Sequence, residues 1–178
     1  MFEDREQAGA RLADRLAEER PRDPVVLALP RGGVPVAEAV ARRLNAPLDL
    51  LLVRKIGVPG HSELAAGAVV DGAEHDAVFN HDILRQLGLT EADFAEAIST
   101  KLSEIETRRK AYLGDHPPEP LAGRTAIVVD DGIATGATVK AALKGLRRRN
   151  PAEIWLAVPV APREALAGIM GLVDRLIC

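Results

Sequence analysis

Short apolar runs alternate with stretches of helical periodicity along this chain, the pattern of an α/β domain built on a mainly parallel sheet. A first helix is predicted over 4–18, where Asp4 and Gln7 have capping-box spacing and Ala8, Leu12 and Leu16 share one face. Residues 25–29 are apolar, begin with two valines and lie between Pro24 and Pro30, so they read as a buried strand. Helical pattern returns over 34–44, with Pro35 accommodated in the first turn, and 48–53 reads as a second strand. The second half repeats the alternation, with strands at 126–129, 153–160 and 173–177 and helices at 136–149 and 162–171. The expected fold is one Rossmann-like α/β domain over 1–178, a five-stranded, mainly parallel sheet flanked by helices.

Between about residues 54 and 120 the pattern changes, and this stretch reads as a loop-and-helix insertion. Residues 54–76 are rich in glycine and read as irregular, with weak β character at 66–70 and 77–79. A long helix follows Thr90, capped by Thr90 and Asp93, with Phe94, Ile98, Leu102, Ile105 and Tyr112 as its apolar stripe. Glu104 with Arg108 and Glu106 with Lys110 have the spacing of i, i+4 ion pairs. His116-Pro117-Pro118-Glu119-Pro120 ends the helix as a stiff linker.

Composition narrows the function. With 178 residues, 47% of them hydrophobic, the chain can bury a core without disulfides or a structural metal. Aromatics make up 3% and the net charge is −3, which excludes a ring-stacking platform for single strands and leaves nucleic acid an unexpected partner. The lone cysteine, Cys178, points to a reducing cytoplasm, and neither a signal sequence nor a membrane span is expected.

The strongest chemistry lies in Asp130-Asp131-Gly132-Ile133-Ala134-Thr135-Gly136-Ala137-Thr138, which follows an apolar strand and leads into a helix. Small residues let a phosphate approach backbone N–H groups, the helix N-terminus adds favourable partial charge, and Thr135 and Thr138 add hydroxyl donors. The two carboxylates would repel that phosphate, so they face hydroxyl groups, an electron-poor centre or a cation. A sugar phosphate meets both demands. No Gly-x-x-x-x-Gly-Lys-Ser/Thr or strand-linked Gly-x-Gly-x-x-Gly is present, which removes the common ATPase and dinucleotide motifs. A second strand-to-helix loop, Pro30-Arg31-Gly32-Gly33, offers a guanidinium and unshielded N–H groups, and Val53-Arg54-Lys55 ends the next strand with two cations.

The acid-pair segment resembles the ribose-phosphate signature of the type I phosphoribosyltransferases, and the resemblance extends from about residue 20 to 178. It implies that Ala134, Thr135, Gly136, Ala137 and Thr138 hold the 5′-phosphate of 5-phosphoribosyl 1-pyrophosphate (PRPP). It places Arg31, Gly32, Gly33, Arg54 and Lys55 at the diphosphate, with an unusual backbone conformation expected in the Arg31 loop. Asp130 and Asp131 would position ribose hydroxyls and Mg²⁺, the implied cofactor, through bound water, while Arg31 and Lys55 would stabilise departing pyrophosphate. Residues 59–65, including His61, would form a covering loop that excludes water. The implied activity is transfer of phosphoribosyl to a nitrogenous base or other small nitrogen nucleophile. The alternative is a PRPP- or nucleotide-sensing regulator of the same fold. A homodimer is compatible with either.

Ala134 stands where 6-oxopurine salvage enzymes carry an acid, so a hypoxanthine or guanine acceptor loses support. The acceptor itself is not named by any motif. His75, His81 and His116 read as ordinary loop histidines, Arg108-Arg109-Lys110 and Arg147-Arg148-Arg149 as solvated helix ends, and Trp155 as core.

Overall fold

An apolar run without polar alternation needs both of its faces covered, and the chain arranges its helices to do this. The computed structural model describes residues 2–72 and 76–178. Its elements begin with α1 (Arg5–Glu18), β1 (Pro24–Ala28), α2 (Gly33–Leu44), β2 (Leu48–Leu50), β3 (Val53–Val58), β4 (His61–Val70) and β5 (Asp76–Phe79). They continue with α3 (His81–Leu87), α4 (Ala95–Leu113), β6 (Thr125–Val129), α5 (Ala137–Arg147), β7 (Glu153–Ala157), α6 (Arg163–Ala167) and β8 (Arg175–Ile177). Five strands form one sheet in the order β2-β1-β6-β7-β8. Each neighbouring pair is parallel, with Ala28 opposite Val129 and Val129 opposite Ala157. The expected α/β architecture, a five-stranded sheet flanked by helices, is present.

Alternate side chains feed two cores. Val26, Ala28, Ile127, Val129, Trp155 and Ala157 pack towards α1 and α2, against Leu12, Leu16, Val36 and Val40. Val25, Leu27, Ala126, Val128, Ile154 and Leu156 pack towards α5, against Val139, Leu143 and Leu146. Trp155 is core, as expected, and its indole N–H donates to Glu153 at 2.6 Å.

The stretch 54–76 departs from the irregular loop expected of it. β3, β4 and β5 form a second, antiparallel sheet, and the expected strand 48–53 divides, with 48–50 in the large sheet and Val53 opening the small one. The glycines that suggested a loop serve close packing and a turn. A Cβ on Gly67 would stand 2.2 Å from the Val78 carbonyl oxygen, and Gly60 takes a φ of +78° in the β3–β4 turn. Register shifts flank Gly57, which hides the period-2 pattern from a sequence reading. The small helix α3, capped by the Asn80 side chain, was not expected either.

The Thr90–Asp93 capping box is present, although a 3₁₀ turn (Glu91–Phe94) precedes α4. Glu104, expected to pair with Arg108, takes other partners. It accepts from Arg54 on β3 at 2.8 Å and from Lys101 at 3.4 Å, and these hydrogen bonds, led by that of Arg54, hold the Glu104 carboxyl below the usual range. Arg109 is not solvated. It is largely buried and donates to Asp49 at 2.7 Å and to Asp71 at 2.6 Å, which ties α4 to the large sheet and to the end of β4. The second oxygen of Asp49 accepts the Glu119 amide at 2.9 Å. Arg147 and Arg149 are likewise anchored, to Asp174 at 3.1 Å and to the Glu119 carbonyl at 2.9 Å. No helix among the described residues is long and apolar enough to cross a membrane.

Candidate functional site

β1 and β6 lie side by side, but the chain leaves them in opposite directions. From β1 it passes to β2 on one side, and from β6 to β7 on the other, so strand order reverses between them. A crevice opens outside the carboxyl ends of strands at such a switch point, where α/β folds bind their ligands. Two sequence-predicted loops meet there, Pro30-Arg31-Gly32-Gly33 after β1 and the acid-pair loop after β6. The Leu29 amide extends the β1–β6 ladder by donating to the Val129 carbonyl at 3.0 Å, which holds the loops in register. The Pro30–Arg31 peptide is cis.

Glycine makes their contact possible. A Cβ on Gly32 would lie 2.3 Å from Asp131 Oδ2 and 2.6 Å from Oδ1, so the carboxylate occupies the space a side chain would take. A Cβ on Gly33 would meet the Val129 carbonyl oxygen at 2.7 Å and Asp130 Cα at 3.1 Å. Gly33 is buried, whereas Arg31 is exposed.

Asp130 is partly buried, and Oδ1 accepts the Asp131 amide at 2.9 Å. Burial is the main cause that pushes its carboxyl up to about 6, and the neighbouring Asp131 charge adds to it against the opposing Asp131 amide. Asp131 has a cationic partner that its motif did not announce. Arg5, in the first turn of α1, brings Nε and Nη2 each to 2.9 Å from Asp131 Oδ2. The contact spans 126 residues in sequence, beyond the reach of local spacing arguments.

The rest of the loop builds the start of α5. Gly136 takes a φ of +80° before the helix, and a Cβ there would stand 3.1 Å from Ile169 Cδ1. Ile133 is buried, and its amide donates to the Val160 carbonyl at 3.2 Å, so the loop is fastened to the segment after β7. Ala134, Thr135, Ala137 and Thr138 are exposed around this anchor. The first turn of α5 carries no acidic residue, so no side-chain charge opposes the partial positive charge of its N–H groups.

Lys55 lines a cavity of about 510 Å³ together with Ala137 and Thr138 of α5, Gly67 of β4 and Phe79 of β5. The acid pair and Arg31 lie outside that lining. Arg54, which the resemblance puts at the diphosphate, pairs with Glu104 in this structure. Neighbouring strand residues point to opposite faces, so Lys55 turns towards α5 while Arg54 turns to α4 and is held by Glu104. Of the covering segment 59–65, His61 lies exposed at the hairpin turn, opposite Val58. The side chains of Ser62 and Glu63, like His75, fall outside the described residues. His81 and His116 are exposed, the former 3.7 Å from Glu91.

Two carboxylates side by side suit a hard cation that keeps several waters and substrate oxygens in its shell. Among the described residues, no group of three or more His, Cys, Asp or Glu side chains could hold a metal by itself. Asp130 and Asp131 alone would leave most of such a cation's shell to water and ligand oxygens.

A parallel sheet whose switch point brings an acid-pair loop against a diglycine loop places the chain among the α/β proteins that present loops at the carboxyl ends of their strands. A phosphoribosyl transferase domain model matches residues 3–175, and the chain belongs to that family. Two Mycobacterium tuberculosis proteins, from strains CDC 1551 and H37Rv and provisionally named phosphoribosyl transferases, are 44% identical over 178 residues. These matches cover 100% of this chain and 40% of each relative, so the chain spans about two fifths of their length. The crystal structure of TT1426 from Thermus thermophilus superimposes with a TM-score of 0.84 at 40% identity, covering 99% of this chain and 83% of that one. A purine phosphoribosyltransferase from Pyrococcus horikoshii Ot3 shares the fold, with a TM-score of 0.54 at 16% identity over 97% of this chain and 80% of its own.

Proposed function

We propose that this chain binds PRPP and transfers its phosphoribosyl group to a small nitrogen nucleophile with release of pyrophosphate. The observation that carries this reading is the meeting of the two loops at the β1–β6 switch point, with the Asp131 carboxylate filling the space left by Gly32. The 5′-phosphate sits over 134–138, where the α5 N-terminus and the Thr135 and Thr138 hydroxyls supply donors. Asp130 and Asp131 accept from the ribose hydroxyls and stabilise positive charge that develops on the sugar as the C–O bond to pyrophosphate breaks. Arg31 and Lys55 hold the leaving pyrophosphate, which takes the bonding electron pair. Asp130 and Asp131 would hold Mg²⁺ through water, and the ion would offset the diphosphate charge. Ala134 cannot exchange a proton with an acceptor, which weighs against hypoxanthine and guanine. Cytoplasmic residence, suggested by the lone Cys178, and any homodimer belong to the same proposal.

The test is pyrophosphate release from PRPP and Mg²⁺ across a panel of bases and small amines, with Asp131→Asn as control. Turnover with at least one acceptor that Asp131→Asn abolishes is expected. Saturable PRPP binding with no release for any acceptor would instead identify a sensor. Turnover that survives Asp131→Asn in full would remove the carboxylate role.

A further inference from the structure

We infer that Arg5 is a ligand-site residue: presented by α1, its guanidinium orients Asp131 in the free chain and turns to the diphosphate of the bound substrate. The inference rests on the PRPP reading of the site.

Three observations carry it. First, Arg5 reaches the acid pair from outside every motif of the site. Both of its N–H groups fall on Asp131 Oδ2, each at 2.9 Å, which leaves Oδ1 to accept from a hydroxyl. Second, the helix that presents Arg5 is fixed to the glycine loop. Asp4 caps α1 by accepting the Gln7 amide at 2.8 Å, which sets the first turn. A Cβ on Gly9 of α1 would lie 3.1 Å from Ala39 Cβ and 3.2 Å from Val36 Cα, so α1 rests closely on α2. α2 itself starts at Gly33, immediately after Arg31 and Gly32. Arg5 and the predicted diphosphate loop therefore share one rigid support.

Third, the charges call for another cation. A diphosphate is strongly anionic, and Arg54, expected to face it, is committed to Glu104 on the other side of β3. Arg5 is beside the acid that touches Gly32, and its side chain is 63% exposed. Among the described residues its Nη1 has no partner, so donors remain for phosphate oxygens. An ion pair this exposed is weak, so handing the guanidinium from Asp131 to the substrate costs little. The hydrogen bonds gained, between guanidinium and phosphate, are of the stronger, charge-assisted kind. Arg5 thus guards Asp131 until substrate hydroxyls replace it, then joins Arg31 and Lys55.

The test is calorimetric titration of the full chain with inorganic pyrophosphate in Mg²⁺, and separately with PRPP. Arg5→Ala, Arg5→Lys and a charge control, Arg11→Ala, are compared with wild type. Arg11 lies over the Phe2 ring, 5.7 Å from its centroid, on the same helix. Arg5→Ala is expected to weaken both ligands about tenfold or more. Arg5→Lys should fall between, Arg11→Ala should match wild type, and added guanidinium ion should restore part of the loss in Arg5→Ala. Partial rescue by guanidinium separates a direct contact from a merely structural role. Wild-type binding with Arg5→Ala unchanged or tighter would overturn this inference alone, as would equal losses in Arg5→Ala and Arg11→Ala. Silence of the wild-type chain towards both ligands would overturn the phosphoribosyl reading and this inference with it.

Discussion

Two glycines one residue apart face the acid-pair loop, and an added methyl group should affect them in opposite ways. In Gly32→Ala the new Cβ would stand 2.3 to 2.6 Å from the three carboxyl atoms of Asp131. Ordinary contact begins near 3.4 Å, so the carboxylate must retreat by roughly 1 Å, which a rotation about its own side-chain bonds provides. Little else moves, and the stability cost should be about 1 kcal/mol or less. The retreat takes the carboxylate out of its place and off Arg5, and a displacement of that size lowers turnover about 100-fold. In Gly33→Ala the obstacle is backbone, the Val129 carbonyl oxygen at 2.7 Å and Asp130 Cα at 3.1 Å, and neither can rotate away. That variant should lose about 1–3 kcal/mol of stability. Urea denaturation followed by Trp155 fluorescence measures the first quantity, and pyrophosphate release from PRPP the second. A Gly32→Ala protein that keeps wild-type turnover, or one that loses more stability than Gly33→Ala, would refute the close packing of the two loops.

Other outcomes follow from single side chains. Arg109→Ala leaves Asp49 and Asp71 buried without their cation, and should cost about 3–5 kcal/mol in chemical denaturation. Burial already raises Asp71 despite the opposing pull of Arg109, so the loss should be smaller at acid pH, where Asp71 is protonated. Asp130, raised to about 6 from 3.8, destabilises the folded chain when ionised. Its contribution is most favourable below the unfolded value and is lost as pH rises through about 6. Asp130→Asn should therefore be more stable than wild type at pH 8, by about 1–2 kcal/mol after allowing for partial exposure, with the gap closing towards pH 4. Substrate affinity in the wild type should run the other way and rise with pH through about 6, as the carboxylate ionises. Lys55→Ala should weaken pyrophosphate binding about tenfold, whereas Arg54→Ala should leave it nearly unchanged and loosen α4 instead, read by proteolysis of 95–113.

The large sheet was legible in the sequence because its information is local. Runs such as 25–29 are apolar on both faces, with Pro24 and Pro30 at their ends. The acid-pair loop was legible for the same reason, since strand, acids, small residues and helix follow within a dozen positions. What escaped depends on residues far apart in the chain. Arg5 meets Asp131, Arg54 meets Glu104 and Arg109 meets Asp49 only once the topology has brought their elements together. The spacing of Glu104 and Arg108 suggested a helical pair, but the neighbouring strand β3 brings Arg54 to Glu104. The small sheet was missed because Gly67, which packs against the Val78 carbonyl, looks the same in sequence as a glycine that frees a loop.

The most direct measurement of the central claim is phosphorus NMR of PRPP titrated with the full chain in Mg²⁺. PRPP carries one 5′-phosphorus, which reports on the loop after β6, and two diphosphate phosphorus atoms, which report on Arg31 and Lys55. The account predicts that all three resonances shift together to one saturation point. Lys55→Ala should diminish the diphosphate shifts selectively, and Gly136→Ala, which strains a φ of +80° at the head of α5, the 5′-phosphate shift. Resonances that stay at their free positions at saturating protein, or that move alike in every variant, would contradict it.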